Sequence, residues 1–136
     1  MTEGEMRSIE YAVGVILQAI GEDPDRPGLQ DTPARVARYW REMMEYDPGS
    51  LDTGFQAVET DQMVLLTGVR VWSVCEHHLL PFWCDISIGY VTHERVMGLS
   101  KLARVAHKHA HGLQIQERLV KGIAEEISEL AETKDV

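Results

Sequence analysis

The sequence contains no long apolar run and no excess of basic residues, and both absences exclude classes of protein. Nothing in its 136 residues approaches the roughly 18 consecutive apolar residues of a membrane-spanning helix, so we expect no membrane partner. Its 22 aspartates and glutamates outnumber its 13 lysines and arginines, and the formal net charge is −9. Because a nucleic-acid-binding domain needs a basic face, we expect no nucleic-acid partner either. One anionic small molecule held by a few well-placed cations is still compatible with this charge.

Cysteine is also scarce, which excludes a disulfide-stabilised scaffold. The chain has two cysteines, Cys75 and Cys84, and its first residues include Glu3 and Glu5 instead of the basic start of a secretory signal. In a protein without such a signal, two cysteines favour a metal ligand, a core residue or one of each. The sequence therefore predicts a cytoplasmic protein.

Apolar patterning predicts one α+β domain. Apolar residues make up 44% of the chain, which is enough for one core. Their 3–4 spacing predicts four helices: about 3–20, one that starts at Pro33, about 101–110 and about 115–132. Two β-rich runs, at about 63–74 and 84–91, follow a predicted irregular loop at 47–60. Helices, then strands, then helices are typical of an α+β fold with an antiparallel sheet.

Polar residues at the expected helix starts suggest specific caps. Thr2 and Glu5 have the spacing of a capping box. Thr32 precedes Pro33, so we expect Thr32 as the N-cap and proline in the first helical position. Ser100 is expected to cap the third helix.

The run Cys75-Glu76-His77-His78 is the clearest chemical motif. The spacing of Cys75 and His78 lets a thiolate and an imidazole reach one ion from a tight turn, and zinc favours such ligands. A core cysteine followed by surface histidines fits the same spacing equally well.

Two groups of basic residues could bind an anion. Ser100, Lys101 and Arg104 lie at an expected helix start, where free backbone N–H groups attract phosphate. On spacing alone, an ordinary helix start with two solvated cations is the preferred interpretation. Arg35 and Arg38 share a helix face, and a solvated basic face is again the simpler interpretation.

Glu117 has two possible roles. By default it is a surface glutamate paired with Lys121, four residues further along the helix. Alternatively, its carboxylate recognises guanine by accepting hydrogen bonds from the adjacent N–H and NH2 groups of the base. Spacing does not decide between these roles.

A run of alternating histidines follows the third helix start. His107, His109 and His111 look like a metal-binding tract in sequence. Residues two apart on a helix do not face each other, however. We therefore expect these histidines on a solvated face.

Four stretches of the chain, in the same order, closely resemble GTP cyclohydrolase I: GEDPDRPGLQDTPARVARYW, SVCEHHLLPF, GLSKLARV and LQIQERL. The resemblance covers about residues 21–130. It implies the tunnelling fold (T-fold), an antiparallel sheet with helices packed on one face. It also implies an N-terminal helical segment over 1–46, a catalytic domain over 47–136 and a homodecamer with active sites at subunit boundaries.

The resemblance further implies a zinc-dependent reaction that converts GTP and water into 7,8-dihydroneopterin triphosphate and formate. It assigns the metal and proton-transfer roles to three residues: Cys75 and His78 as zinc ligands, and His77 as the acid–base group. It assigns substrate binding to two sets, the guanine-binding Glu117 and Gln116 and the triphosphate-binding Ser100, Lys101, Arg104, Arg35 and Arg38. The last two arginines would come from a neighbouring subunit.

The chain also departs from the family pattern. The family continues with a β-hairpin that carries a further histidine, a third zinc ligand and a phosphate-binding arginine, and Val136 lies about where that hairpin would begin. We therefore expect a two-ligand, incomplete zinc site and an exposed sheet edge. Cys84 stands where the family commonly has glycine, and a small buried strand residue is preferred over a substitute ligand.

Three functions stay open at this point. The first is an active enzyme whose third ligand comes from elsewhere. The second is a catalytically impaired relic that binds GTP or oligomerises. The third is the related T-fold nitrile reductase, which the Cys-Glu-His-His and GLSK blocks disfavour.

Overall fold

The computed structural model describes residues 1–57, 59 and 61–136, and the chain divides into two compact units. The first, Met1–Tyr46, contains α1 (Glu3–Ala19) and α2 (Thr32–Met44). The second, Asp47–Val136, contains β1 (Gly54–Gln56), β2 (Met63–Cys75), β3 (Pro81–Val91), β4 (Arg95–Met97), α3 (Leu99–Ala110), β5 (Leu113–Gln114) and α4 (Gln116–Ala131). None of the described helices is long and apolar enough to cross a membrane.

The first unit confirms one predicted helix cap and corrects another. The backbone N–H of Glu5 donates to the Thr2 hydroxyl over 3.3 Å, and the Thr2 N–H donates to the Glu5 carboxylate over 2.7 Å, so the capping box is present. At α2 the N-cap is Asp31, not Thr32, and its side chain makes no capping bond. Because the fixed φ of Pro33 suits a first helical turn, the helix can extend back to include Thr32.

The main sheet of the second unit has the strand order β3-β2-β5. β2 and β3 are antiparallel over most of their length, with an irregularity between Leu66 and Val69 where Gly68 adopts a φ of 72°. Such a left-handed residue inside a bulge favours glycine. β5 pairs with β2 in parallel over two residues, so the predicted antiparallel sheet carries one short parallel pairing at its edge.

A second, two-stranded sheet joins β1 to β4. β1 lies inside the segment 47–60, which the sequence predicted as irregular. β3 begins at Pro81, earlier than expected. A proline is compatible with the first residue of a strand, because its missing N–H is then not needed for pairing.

The core of the second unit lies between the main sheet and the two helices α3 and α4. Val71, Ile88 and Tyr90 of the sheet contact a buried set from the helices that includes Leu102 and Ile127. The other sheet face is open, since its paired tryptophans Trp72 and Trp83 are 56% and 53% exposed. The predicted α+β class, with helices on one face of the sheet, is therefore confirmed.

The start of α3 differs from the prediction. Its N-cap is Gly98, with φ −62° and ψ 134°, and Ser100 lies within the first turn, where no side-chain capping bond is made. Extended backbone at Gly98 lets the chain pass directly from β4 into the helix. Ser100 therefore does not cap the helix.

Candidate active site

A tight turn between β2 and β3 carries the Cys-Glu-His-His run. The Leu79 N–H donates to the Cys75 carbonyl over 2.9 Å, and the Cys75 N–H donates to the Leu80 carbonyl over 2.8 Å. Leu79 adopts a left-handed φ of 54°, which lets the chain reverse. The turn brings the Cys75 Sγ to 3.3 Å from Nδ1 of His78.

This pair of atoms fits two ligands of one zinc ion. A thiolate sulfur and an imidazole nitrogen on a tetrahedral zinc are about 3.6 Å apart, close to the separation found here. The backbone N–H of His77 lowers the pKa of the Cys75 thiol, which favours the thiolate that binds metals. Within residues 1–57, 59 and 61–136, no group of three His, Cys, Asp or Glu side chains could hold a metal, so this turn contributes a pair only.

The second cysteine lies elsewhere. Cys84 is opposite Val71 in the β2–β3 pairing and is partly buried against the apolar core. Burial raises the pKa of its thiol, which disfavours the thiolate. The environment of Cys84 is that of a small strand residue.

Strand β5 places the start of α4 beside the Cys75 turn. Cys75 is paired with Gln114, whose backbone carbonyl accepts a hydrogen bond from the Glu76 N–H over 3.1 Å. The buried Gln114 side chain donates to the His109 carbonyl over 3.0 Å and accepts from the Ile115 N–H over 3.2 Å. Gln114 therefore links the turn, the end of α3 and the start of α4.

Five of the predicted site residues meet at one open cavity of ≈ 490 Å³. They are Cys75, His77, His78, Gln116 and Glu117. The rest of the lining is mostly apolar: Leu80, Pro81, Phe82, Gln114 and Ile115. A mostly apolar wall with a few convergent polar groups is typical of a small-molecule site.

Glu117 is exposed at this cavity. The default interpretation, an ion pair with Lys121, is wrong, because Lys121 lies 3.6 Å from Glu125 instead. The carboxylate of Glu117 makes no ion pair or hydrogen bond with the described part of the chain, so its oxygens can accept hydrogen bonds from a ligand.

Sequence reasoning gave no role to Glu76 or Arg118, which join the two walls of the cavity. Two nitrogens of Arg118 donate to the two carboxylate oxygens of Glu76, over 2.7 and 3.2 Å. The hydrogen bonds from Arg118 hold the pKa of Glu76 below its usual value. Both residues belong to the stretches that resemble the family, which was the available signal.

The predicted triphosphate contacts lie elsewhere on α3. Lys101 donates to the Ser50 carbonyl over 2.6 Å, and Arg104 donates to the Pro48 carbonyl over 3.4 Å. Lys101 is in the first turn of α3, whereas the cavity lies beyond its last residue, Ala110. These two points are about 14 Å apart along the helix axis. One chain therefore does not gather all predicted site residues in one place.

The remaining predicted cations belong to the first unit. Arg35 and Arg38 are both in α2. The guanidinium of Arg35 donates to the carboxylate of Asp31, four residues earlier, over 3.1 Å.

The alternating histidines are not the solvated face that the sequence predicted. His109 Nε2 lies 2.6 Å from a carboxylate oxygen of Glu126 on α4, and Lys108 contacts the other oxygen over 2.7 Å. His111 Nδ1 lies 2.6 Å from the His107 carbonyl. Partial burial lowers the pKa of His107. His109 and Lys108 thus join α3 to α4, and the three histidines form no metal cluster with the described part of the chain.

Comparison with known families decides the relationship of the chain. The sequence profile described as GTP cyclohydrolase I matches residues 9–136, nearly the whole sequence. The chain belongs to the GTP cyclohydrolase I family. The predicted family is thus confirmed, and with it the prediction of a hydrolytic enzyme family, and the helices and mixed sheets are consistent with the family's T-fold.

Individual members of the GTP cyclohydrolase I family agree with this assignment. GTP cyclohydrolase 1 of Hyperthermus butylicus is 47% identical over 129 residues, which cover 94% of this chain and 66% of that protein. The Carboxydothermus hydrogenoformans protein of the same name is 46% identical over 92% of this chain and 67% of its own length. GTP cyclohydrolase 1 of Sulfurihydrogenibium sp. is 39% identical over 97% of this chain and 71% of that protein. The chain thus spans about two thirds of the length of these relatives.

Proposed function

We propose that this chain is a zinc-dependent GTP cyclohydrolase I. It would hydrolyse the guanine ring of GTP and yield 7,8-dihydroneopterin triphosphate and formate, the first step of pterin and folate, or deazaguanine, biosynthesis. The observation that carries the proposal is the single cavity at which Cys75, His77 and His78 meet Gln116 and Glu117. Membership of the family supports it, and each relative above carries the name GTP cyclohydrolase 1.

Glu117 would recognise the base. A carboxylate with free oxygens can accept one hydrogen bond from N1–H of guanine and another from the adjacent 2-amino group. A base without these donors would leave the carboxylate unpaired at the cavity wall, which opposes binding. Gln116, the neighbouring residue on the same wall, would add hydrogen bonds to the base.

Cys75 and His78 would hold the zinc ion, and His77 would move the proton. Zinc held by these residues would lower the pKa of a water to about 7, which would make hydroxide available at neutral pH for hydrolysis at C8 of guanine. N7 must gain a proton as the imidazole ring opens, and histidine is the side chain suited to this transfer near neutral pH. His77 lines the same cavity and is 65% exposed, so it can reach a bound base.

The triphosphate would be held by the hydroxyl of Ser100, by the cations of Lys101 and Arg104, and by Arg35 and Arg38 of another subunit, in a homodecamer. The distance of about 14 Å between the cavity and the start of α3 is compatible with a site shared between chains. Holding the substrate at both ends would keep it in place through ring opening, loss of formate and closure of the pterin ring. A cytoplasmic location and the absence of nucleic-acid or membrane partners belong to the same proposal.

The direct test is pterin formation. The chain is incubated with GTP in two parallel reactions, one with zinc and one with a chelator. The fluorescence of the oxidised pterin is followed in each. We expect product only with zinc, and about one bound zinc per chain. Absence of both zinc binding and product in a folded protein would reject the enzyme and favour the non-catalytic relic.

Subunit mixing tests how the site is composed. The variants Glu117→Ala and Lys101→Ala are each prepared alone and then co-expressed so that both chains enter one oligomer. If base and phosphates bind different chains, some sites in the mixture contain both native residues. Activity then returns at a GTP concentration well below the raised KM of Lys101→Ala, where each variant alone is nearly inactive. No recovery in mixed oligomers would assign both ends of GTP to one chain.

A further inference from the structure

The ion pair between Glu76 and Arg118 connects residues 42 positions apart in the sequence. The two terminal guanidinium nitrogens of Arg118 and both carboxylate oxygens of Glu76 take part, over 2.7 and 3.2 Å. The side chain of Glu76 is 28% exposed, so the pair is partly shielded from water. A two-bond contact of this kind fixes direction as well as distance.

The position of this pair relative to the cavity is informative. Glu76 lies between Cys75 and His77, and Arg118 directly follows Glu117. The pair therefore joins the wall that carries the metal ligands to the wall that carries the guanine-binding carboxylate. Neither Glu76 nor Arg118 lines the cavity itself. Since both oxygens of Glu76 are already used by Arg118, this carboxylate is not free to bind a metal or substrate.

The backbone pairing between the two walls is short. The strand pairing between them is limited to Val74 with Leu113 and Cys75 with Gln114. One further backbone bond joins the Glu76 N–H to Gln114. Leu119 anchors the first turn of α4 in the core, while its exposed side, which carries Glu117, faces the cavity. A shift of about 1 Å between reacting groups can reduce a rate about 100-fold, so a further contact between the walls matters for their alignment.

We propose that Glu76 and Arg118 are positioning residues that hold Glu117, and the base bound to it, in register with Cys75, His77 and His78. This inference rests on the proposed function, because it concerns how that site is aligned. Neither residue touches substrate; each acts through its neighbours. The pair is needed for turnover more than for binding of the metal or of GTP.

The chain contains a matched control. Arg70 donates to both carboxylate oxygens of Asp85 over 2.9 and 3.1 Å, so its geometry resembles that of the first pair. Arg70 and Asp85 are paired residues of β2 and β3, which are held together by a long antiparallel ladder. They lie on the open sheet face, and neither lines the cavity. Breaking this pair removes an equivalent interaction without releasing either wall.

The experiment compares Glu76→Gln and Arg118→Lys with the controls Asp85→Asn and Arg70→Lys in the chain as encoded. Glu76→Gln removes the negative charge at nearly constant shape. Arg118→Lys keeps the positive charge but loses the planar group that donates from two nitrogens at once. We expect kcat to fall about 10- to 100-fold in the first two variants, with KM for GTP and metal content changed less than about threefold. The controls should keep kcat. The charge-reversed double variant Glu76→Arg/Arg118→Glu should recover part of the lost kcat.

A spectroscopic measurement separates alignment from activity. With Co²⁺ in place of zinc, addition of GTP should change the absorption bands of the thiolate-bound cobalt in the unmodified chain. The change should be reduced in Glu76→Gln and Arg118→Lys although both still bind Co²⁺ and GTP. Should one of these variants fail to fold, the other gives the same comparison.

The outcomes distinguish this inference from the proposed function. No pterin and no GTP-dependent change of the cobalt bands in the unmodified chain would overturn both. Pterin formation by the unmodified chain, with kcat and the cobalt response unchanged in Glu76→Gln and Arg118→Lys, would overturn the positioning role alone. A lower melting temperature with native kcat would likewise reduce the pair to a stabilising contact.

Discussion

The two ends of α3 differ in how far they are prepared for a ligand. Beyond the C-terminal end, Gln114 and the Glu76–Arg118 pair hold a cavity whose polar groups point to one place. At the N-terminal end, Lys101 and Arg104 donate to backbone carbonyls of the loop at 48–50. One end is assembled within a single chain, and the cations of the other already have partners.

This difference indicates how each end would bind its part of GTP. The carboxylate of Glu117 has no partner to lose among the described residues, so recognition of the base needs little rearrangement. A phosphate would replace neutral carbonyls as the acceptor for Lys101 and Arg104, and charge-assisted hydrogen bonds are about twice as strong as neutral ones. Under the proposed function, base recognition would need little rearrangement, whereas phosphate binding would require an exchange of partners.

The largest effect is expected at the metal ligands. Cys75→Ala removes one of the paired ligands and should abolish zinc binding and turnover together, because the remaining imidazole cannot hold zinc alone. Zinc per chain is measured by atomic absorption after dialysis. Cys84→Ser is the control, since Cys84 lies against the core, and it should keep its zinc. Loss of zinc from Cys84→Ser but not from Cys75→Ala would reverse the assignment.

Removal of the base-binding carboxylate should have the next largest effect. Glu117→Ala should lower kcat/KM for GTP by roughly 10³-fold or more, since the donors of guanine lose their acceptor. The value of kcat/KM is measured from the steady-state rate of pterin formation. Glu125→Ala removes an exposed glutamate of the same helix, one that contacts only Lys121, and should behave as the unmodified chain. Equal losses in both variants would contradict a specific role of Glu117.

A smaller effect is expected at the start of α3. Lys101→Ala should raise KM for GTP by about 10- to 100-fold and change kcat less, because one charge-assisted contact to phosphate is worth about 1.5–3 kcal/mol. The effect of Lys101→Ala on the binding of guanosine monophosphate should be smaller than its effect on KM for GTP. Lys134→Ala, which removes the same charge near the chain end, serves as the control. A fall in kcat with KM unchanged would place Lys101 in the chemistry instead.

The smallest effect concerns packing at the cavity end of α3. A Cβ on Gly122 would lie 2.6 Å from Nδ1 of His109, whose ring is held by Glu126. Gly122→Ala should therefore lower the free energy of unfolding by about 1–2 kcal/mol, despite the better helix propensity of alanine. Denaturant unfolding gives the value. Gly14→Ala, in α1 with open space around the position, should instead gain a few tenths to 1 kcal/mol.

Local patterns predicted the elements of this fold more reliably than their ends. The 3–4 spacing of apolar residues located all four helices, and the capping box at Thr2 was correct because both partners lie within one turn. The caps at Thr32 and Ser100 were wrong, since preference for a capping residue does not fix where a helix begins. The strands β1 and β4 were missed because each has only three residues, too few to show an alternating pattern.

The candidate site was predictable in composition but not in arrangement. Resemblance to the family picked out the five polar residues Cys75, His77, His78, Gln116 and Glu117 that line the cavity, but not the rest of its wall. The parallel pairing of Cys75 with Gln114 joins distant parts of the sequence, and no local pattern signals it. The same holds for Glu76 with Arg118 and for His109 with Glu126, whose partners lie on different elements. Non-local contacts of this kind follow from the fold as a whole.

The most direct test of guanine-ring opening at this cavity follows the fate of C8. GTP labelled with ¹³C at C8 is incubated with the zinc-loaded chain and observed by NMR. We predict that the label leaves as formate, one per GTP consumed, and that Glu117→Ala and Cys75→Ala release none. Retention of the label in the nucleotide, or its release by these two variants at the native rate, would contradict the proposed site.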